Sequence, residues 1–116
     1  ALGLTGRLAD GWVPSMRYLP PSLAKAKMVE VRTAAERAGR DPAALEYAYN
    51  VGVRVGGPPS PDPDRQIAGE PAEVAERIAH LLGLGFTVLN LSASGRRDEQ
   101  MERLAAEVLP AVRRLA

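Results

Sequence analysis

Leu45-Glu46-Tyr47-Ala48-Tyr49-Asn50-Val51-Gly52-Val53 is an apolar run too short for a stable helix and rich in aromatic and β-branched residues. That composition marks a strand. Two further runs read the same way: Trp12-Val13-Pro14 and Phe86-Thr87-Val88-Leu89-Asn90-Leu91, bounded like the first by Gly, Pro and Asp. Helical stretches follow each of them. Strand, helix, strand, helix, strand, helix is the order of repeated βα units, and crossover helices make the neighbouring strands parallel with a right-handed turn.

The helices declare themselves by spacing. Ala24, Met28, Val31, Ala35 and Ala38 fall on one face of a 3.6-residue helix. Pro20 and Pro21 stand at its entrance, where a missing N–H costs nothing, and Gly39 suits the left-handed position after its end. The helix is therefore expected from about Pro21 to Ala38. A second helix opens at Gly69-Glu70-Pro71, turns Val74, Ile78, Leu81 and Leu82 inward, and ends at Gly83 or Gly85. A third uses Met101, Leu104, Ala105, Val108 and Val112, with Asp98 and Glu99 at the positive end of its dipole and Arg113 and Arg114 at the negative end. Pro110 is expected to kink it or shorten its final turn.

Gly56-Gly57-Pro58-Pro59-Ser60-Pro61-Asp62-Pro63-Asp64 cannot join a central strand or a helix interior, because its prolines lack the donors both require. It is expected as a surface loop where the second strand ends, the side that carries function in βα architectures.

Composition narrows the function classes. The 116 residues suit at most one compact unit. Fifteen basic and fourteen acidic residues leave a net charge of +1, interspersed along the helices rather than gathered into a stripe. No nucleic-acid partner is expected. The absence of Cys removes disulfides, thiolate zinc sites and thiol nucleophiles. No apolar run approaches the roughly 20 residues of a membrane span, and no signal peptide is visible, so a cytoplasmic location without membrane contact is expected. The chain opens on Ala1-Leu2-Gly3-Leu4 without Met and reaches its first strand within a dozen residues, which reads as the tail of a helix whose partner strand is missing. A piece of a larger protein is expected.

Five motifs occur in order: Ala9-Asp10-Gly11-Trp12-Val13-Pro14-Ser15; Ala38-Gly39-Arg40-Asp41-Pro42; Gly69-Glu70-Pro71-Ala72-Glu73-Val74-Ala75-Glu76-Arg77-Ile78; Leu84-Gly85-Phe86-Thr87; and Glu107-Val108-Leu109-Pro110-Ala111-Val112-Arg113. This succession resembles the C-terminal portion of luciferase-like monooxygenases, the flavin- and deazaflavin-dependent oxidoreductases that share the bacterial luciferase barrel. The resemblance implies an α/β fold. Residues 1–116 would form a single incomplete segment of a TIM-type (β/α)8 barrel, supplying about three βα units of a body that needs about 250 residues. It also implies FMN or a deazaflavin (coenzyme F420) as cofactor and a small-molecule substrate. The family's catalytic residues lie in earlier strands, so nothing here corresponds to them and no catalytic residue is assigned.

Candidate contacts follow. Trp12, beside Asp10 and Gly11, would either edge an isoalloxazine pocket or pack between helix and sheet. Ser92-Ala93-Ser94-Gly95-Arg96-Arg97 follows the last strand, so Ser92, Ser94 and Arg96 would either meet a phosphate or carboxylate or form a capped helix start with solvated arginines. Gly69-Glu70-Pro71 offers N–H groups at a helix N-terminus, but Glu70 would repel a phosphate, and a structural cap is favoured. Asn50 and Asn90, among apolar neighbours, need partners: a ligand in the barrel lumen or a neighbouring strand's side chain. His80 stands alone, with no second ligand at metal spacing, so no metal is expected. The competing expectation is a non-catalytic module, a truncated paralogue or fragment that self-associates, most simply as a homodimer, through raw strand edges.

Overall fold

The computed structural model describes residues 11–93 and 96–115. Its centre is strand β2, Glu46–Val55, in which Tyr47, Tyr49, Val51, Val53 and Val55 are all buried, while on the alternate positions Glu46 and Asn50 are exposed, Gly52 and Arg54 half-buried and only the small Ala48 buried. Successive side chains of a strand point to opposite faces. One face of the sheet is therefore packed and the other largely open.

Three strands pair with β2, all parallel: β1 (Gly11–Trp12), β3 (Ile67–Gly69) and β4 (Val88–Ala93). A strand has two edges, so two partners must share one, and the register says which. Asn50 pairs with Ser15 and with Asn90, and Val53 pairs with Ile67 and with Ala93. The β4 edge is thus opposite both β1 and β3, which lie one after the other along the second edge. Parallel α/β architecture is as the sequence predicts, with β3 an addition. Three residues are too few to show a period, and Gly69 reads from sequence only as the helix entrance.

Backbone groups at both ends of β2 are satisfied by side chains where β4 does not reach. Thr87 Oγ1 accepts from the Tyr47 N–H at 3.1 Å, and the Thr87 N–H donates to the Tyr47 carbonyl at 2.7 Å. Beyond Ala93, the Gln100 carboxamide takes the place of a strand: its Oε1 accepts from the Val55 N–H at 2.7 Å and its Nε2 donates to the Val55 carbonyl at 3.0 Å. Unpaired backbone groups in a part-buried position are costly, and these two contacts close the edge.

Helix α1 (Pro21–Arg37) buries Ala24, Met28, Val31 and Ala35, has Pro21 in its first turn, and gives way at Ala38 to Gly39 with φ 76°. Helix α2 (Pro71–Gly83) buries Val74, Ala75, Ile78 and Leu81. Leu82, expected inward, is half-buried. Gly85, with φ 118°, then turns the chain toward β4, and a Cβ there would stand 2.9 Å from Met28 Sδ. Only glycine lets this turn close on α1.

The last helical segment departs from expectation. Helix α3 (Arg97–Arg103) leads into a π-helical turn (Leu104–Val108) and then α4 (Leu109–Leu115) without leaving the helical region. The Leu109 N–H reaches back five residues to the Leu104 carbonyl. This wider turn precedes Pro110 and makes room for its ring, so the helix passes through the proline instead of ending there. Leu104, Val108 and Val112 are buried, but Met101 is 52% exposed and Ala105 is exposed. In the first turns the inward-facing positions are the half-buried polar residues Gln100 and Arg103, which meet the end of β2.

The core lies between the sheet and α1, α2 and α4. Its centre is an aromatic stack in which the Phe86 ring centre lies 4.4 Å from that of Tyr49 with the rings 2° from parallel, and 6.2 Å from that of Trp12 at 19°. Tyr49 donates its hydroxyl proton to the Leu19 carbonyl. Burial pushes its pKa up to about 12. The proline-rich loop is exposed, as predicted, and is tied down by guanidinium groups: Arg54 donates to the Pro58 carbonyl at 2.7 Å, Arg77 to the Pro63 carbonyl, and Arg65 to the Arg17 carbonyl at 2.6 Å.

Candidate functional site

The face of the sheet turned away from the helices carries a polar row. Ser15, at an isolated parallel bridge three residues past β1, is in register with Asn50 of β2 and Asn90 of β4, and Gly52 and Ser92 form the next rung toward the strand ends. Asn90 Nδ2 donates to Asn50 Oδ1 at 3.0 Å. Asn50 and Asn90 are exposed, so the expectation of buried amides gives way to a pair bonded across neighbouring strands on the open face. Parity explains it. Asn50 lies between buried Tyr49 and Val51, but alternation sends its side chain to the other side.

Above this row lies an open cleft of about 510 Å³. Ser15, Asn50, Gly52 and Ser92 form its floor; Arg17, Asp62 and Arg65 form its rim. The rim residues come from the segments following β1 and β2, on the side where parallel strands end and where loop residues can be varied without disturbing the sheet. Arg65 is held between the Arg17 carbonyl and Asp62, whose carboxylate lies 3.3 Å from its Nε. A parallel sheet normally buries both faces under apolar contacts. A small, neutral, hydrogen-bonding floor suits a lumen that receives a ligand.

Of the candidates drawn from sequence, Ser92 stands on this floor. Ser94 lies outside the described residues. Arg96 is exposed at the entrance to α3 and faces a separate cleft of about 390 Å³ with Arg97, Asp98 and Glu99. Trp12 pairs in register with Tyr47 on the helix-covered face, is 8% exposed, and stacks toward Phe86 in the core, away from the cleft. Glu70 immediately precedes α2 and makes no side-chain capping bond. His80 is exposed on α2 beside a groove of about 450 Å³ between α1 and α2. Among the described residues no three His, Asp or Glu side chains cluster as a metal site would require, and no helix is long and apolar enough to cross a membrane. Sequence reading missed Ser15, Arg17 and Arg65. The available signal was position: Ser15 and Arg17 lie just past β1 and Arg65 at the end of the proline-rich loop, the side that was expected to matter.

No protein-family model matches the chain, and no curated protein matches it. Solved structures do. An F420-dependent secondary alcohol dehydrogenase in complex with an F420-acetone adduct superposes with a TM-score of 0.78 at 17% identity, over 96% of this chain and 45% of that one. The coenzyme F420-dependent tetrahydromethanopterin reductase of Methanopyrus kandleri gives 0.74 at 16%, over 94% and 47%. A riboflavin lyase with modified FMN and riboflavin gives 0.77 at 12%, over 98% and 40%. The chain thus spans less than half the length of each of these proteins. At such identities the likeness is one of architecture, and the chain has the fold of a portion of a luciferase-like parallel α/β barrel.

Proposed function

We propose that the chain forms the C-terminal wall of a flavin- or F420-dependent oxidoreductase barrel, and that the polar row on its open face borders the cofactor and a small-molecule substrate. The observation that carries this reading is the placement of Ser15, Asn50 and Asn90 on one rung and Ser92 on the next, on the sheet face the helices leave uncovered and beside the cleft. Neutral hydroxyls and amides fit the polar edge of a flavin or deazaflavin ring, and the cleft lies within the ordinary size range of small-molecule sites. The cofactor supplies hydride or oxygen chemistry when bound; the protein supplies orientation and keeps water out. Asn50 is held by Asn90 and so presents its own Nδ2 in a fixed direction. Ser92 adds a hydroxyl from β4. The structures of F420- and FMN-bound proteins that share the fold support this reading.

Titration with FMN and with coenzyme F420, followed by absorbance and fluorescence, tests it. Saturable micromolar binding of either, weakened by Asn50→Leu, is the expected result. An absence of binding up to millimolar cofactor confines the chain to scaffolding.

A second reading rests on the sheet edges. Among the described strands, β4 pairs only with β2, which leaves its outer edge and the open face for another chain. We propose that the protein self-associates there, and light scattering is expected to show a dimer or larger species. A strictly monomeric, cooperatively folding chain contradicts it.

A further inference from the structure

We infer that the cleft over the polar row receives the oxyanion end of its ligand, a phosphate or carboxylate, with Arg17 as the charged contact. The inference rests on the reading of this cleft as a ligand site and goes on to name the chemistry that the site selects.

The cleft presents several donors, and the carboxylate on its rim is already paired. Three guanidinium groups near the proline-rich loop are engaged: Arg54 with the Pro58 carbonyl, Arg77 with the Pro63 carbonyl, and Arg65 with both the Arg17 carbonyl and Asp62. Arg17 differs. Its side chain is exposed, lies 5.7 Å from the Tyr18 ring centre, and has no carboxylate partner among the described residues. Asp62, the one acidic side chain of the rim, is already paired with Arg65, so it does not neutralise Arg17.

The floor points the same way. Asn50 Oδ1 is taken by Asn90, which leaves Asn50 Nδ2 as a donor to the cleft. Ser15 and Ser92 add two hydroxyls that can donate. One unpaired guanidinium, one amide donor and two hydroxyls meeting in a cleft of about 510 Å³ match a group with several acceptor oxygens and negative charge. Guanidinium contacts to phosphate or carboxylate are charge-assisted and geometrically selective, and partial enclosure strengthens them. A purely neutral ligand would leave Arg17 without a counter-charge.

The test uses the whole chain labelled for ¹H–¹⁵N NMR, with arginine Nε–Hε signals included, titrated at constant ionic strength with inorganic phosphate, acetate and glycerol. Phosphate or acetate is expected to give saturating shifts at Arg17 Nε, the Asn50 side-chain amide and the Ser15 and Ser92 backbone amides, and glycerol none. The two anion arms separate phosphate from carboxylate recognition. Arg17→Gln is expected to weaken the anion by about tenfold or more, and Arg96→Gln to leave it unchanged; the spectra themselves report that both variants fold. Shifts centred on Arg96 and Arg97, unchanged affinity in Arg17→Gln, or shifts that never saturate overturn the inference. The two readings fail separately. Cofactor binding without anion shifts at Arg17 removes this inference alone, whereas anion shifts at Arg17 without FMN or F420 binding remove the cofactor reading alone.

Discussion

Asn90 and Asn50 face each other across paired strands, with Asn90 Nδ2 donating to Asn50 Oδ1 at 3.0 Å on the sheet face that no helix covers. Because both are exposed, the bond adds little to folding, about 0.5–1 kcal/mol at the lower end for a net hydrogen bond. Asn90→Ala should therefore lower the urea midpoint only slightly while weakening cofactor or substrate binding much more, since Asn50 loses the partner that aims it. Denaturation and binding measured on the same variant check the split. Equal losses in both would mark the pair as structural.

Gln100 does what a longer β4 would do. Gln100→Leu leaves the part-buried Val55 N–H without its acceptor and the Val55 carbonyl without the Gln100 donor, and should cost about 2–3 kcal/mol in chemical denaturation. Gln100→Glu keeps the acceptor but sets a carboxylate against the carbonyl. Its cost should shrink as pH falls through the carboxylate range, because protonation restores a donor; a pH-independent deficit contradicts this role.

Tyr49 ties stability to alkaline pH. Its folded pKa is raised from 10.0 to about 12 by burial, so the folded state holds its proton where the unfolded chain has lost it. The stabilisation is complete below about pH 10 and is lost as pH rises toward about 12. Burial also raises the pKa of Tyr47, which adds a slope of the same sign. Tyr49→Phe should flatten the difference between pH 9 and pH 12 unfolding curves and, at neutral pH, cost about 1 kcal/mol for the bond to the Leu19 carbonyl. Paired denaturation series of the two proteins measure it.

Phe86 joins the two other rings of the stack and is 3% exposed. Phe86→Ala should cost about 3–5 kcal/mol, the range for emptying an aromatic site in a core. Thermal unfolding checks the figure. A loss under about 1 kcal/mol would mean the neighbours Trp12 and Tyr49 collapse into the space.

Sequence carried the architecture further than the site. The inward face of α1 follows from the spacing of Ala24, Met28, Val31 and Ala35, and β2 from its aromatic and β-branched residues, because burial selects those types at those periods. Strand β3 was invisible: its meaning comes from pairing with Val53–Val55, not from its own three residues. The π-helical turn before Pro110 was equally hidden, since an extra residue in a turn leaves no compositional trace. At the site, Ser92 was legible from its position after a strand. The contact between Arg65 and the Arg17 carbonyl, 48 residues apart, exists only once β1 and the loop after β2 share an edge of the sheet.

A cofactor held as proposed would touch the open face of the sheet. ¹H–¹⁵N shift mapping with FMN and with coenzyme F420 tests this most directly. Shifts concentrated on Ser15, Asn50, Gly52, Asn90 and Ser92, with the helix-facing Tyr47, Val53 and Val55 undisturbed, are the predicted result. Shifts centred instead on the groove between α1 and α2 around His80, with the polar row unchanged, would contradict it.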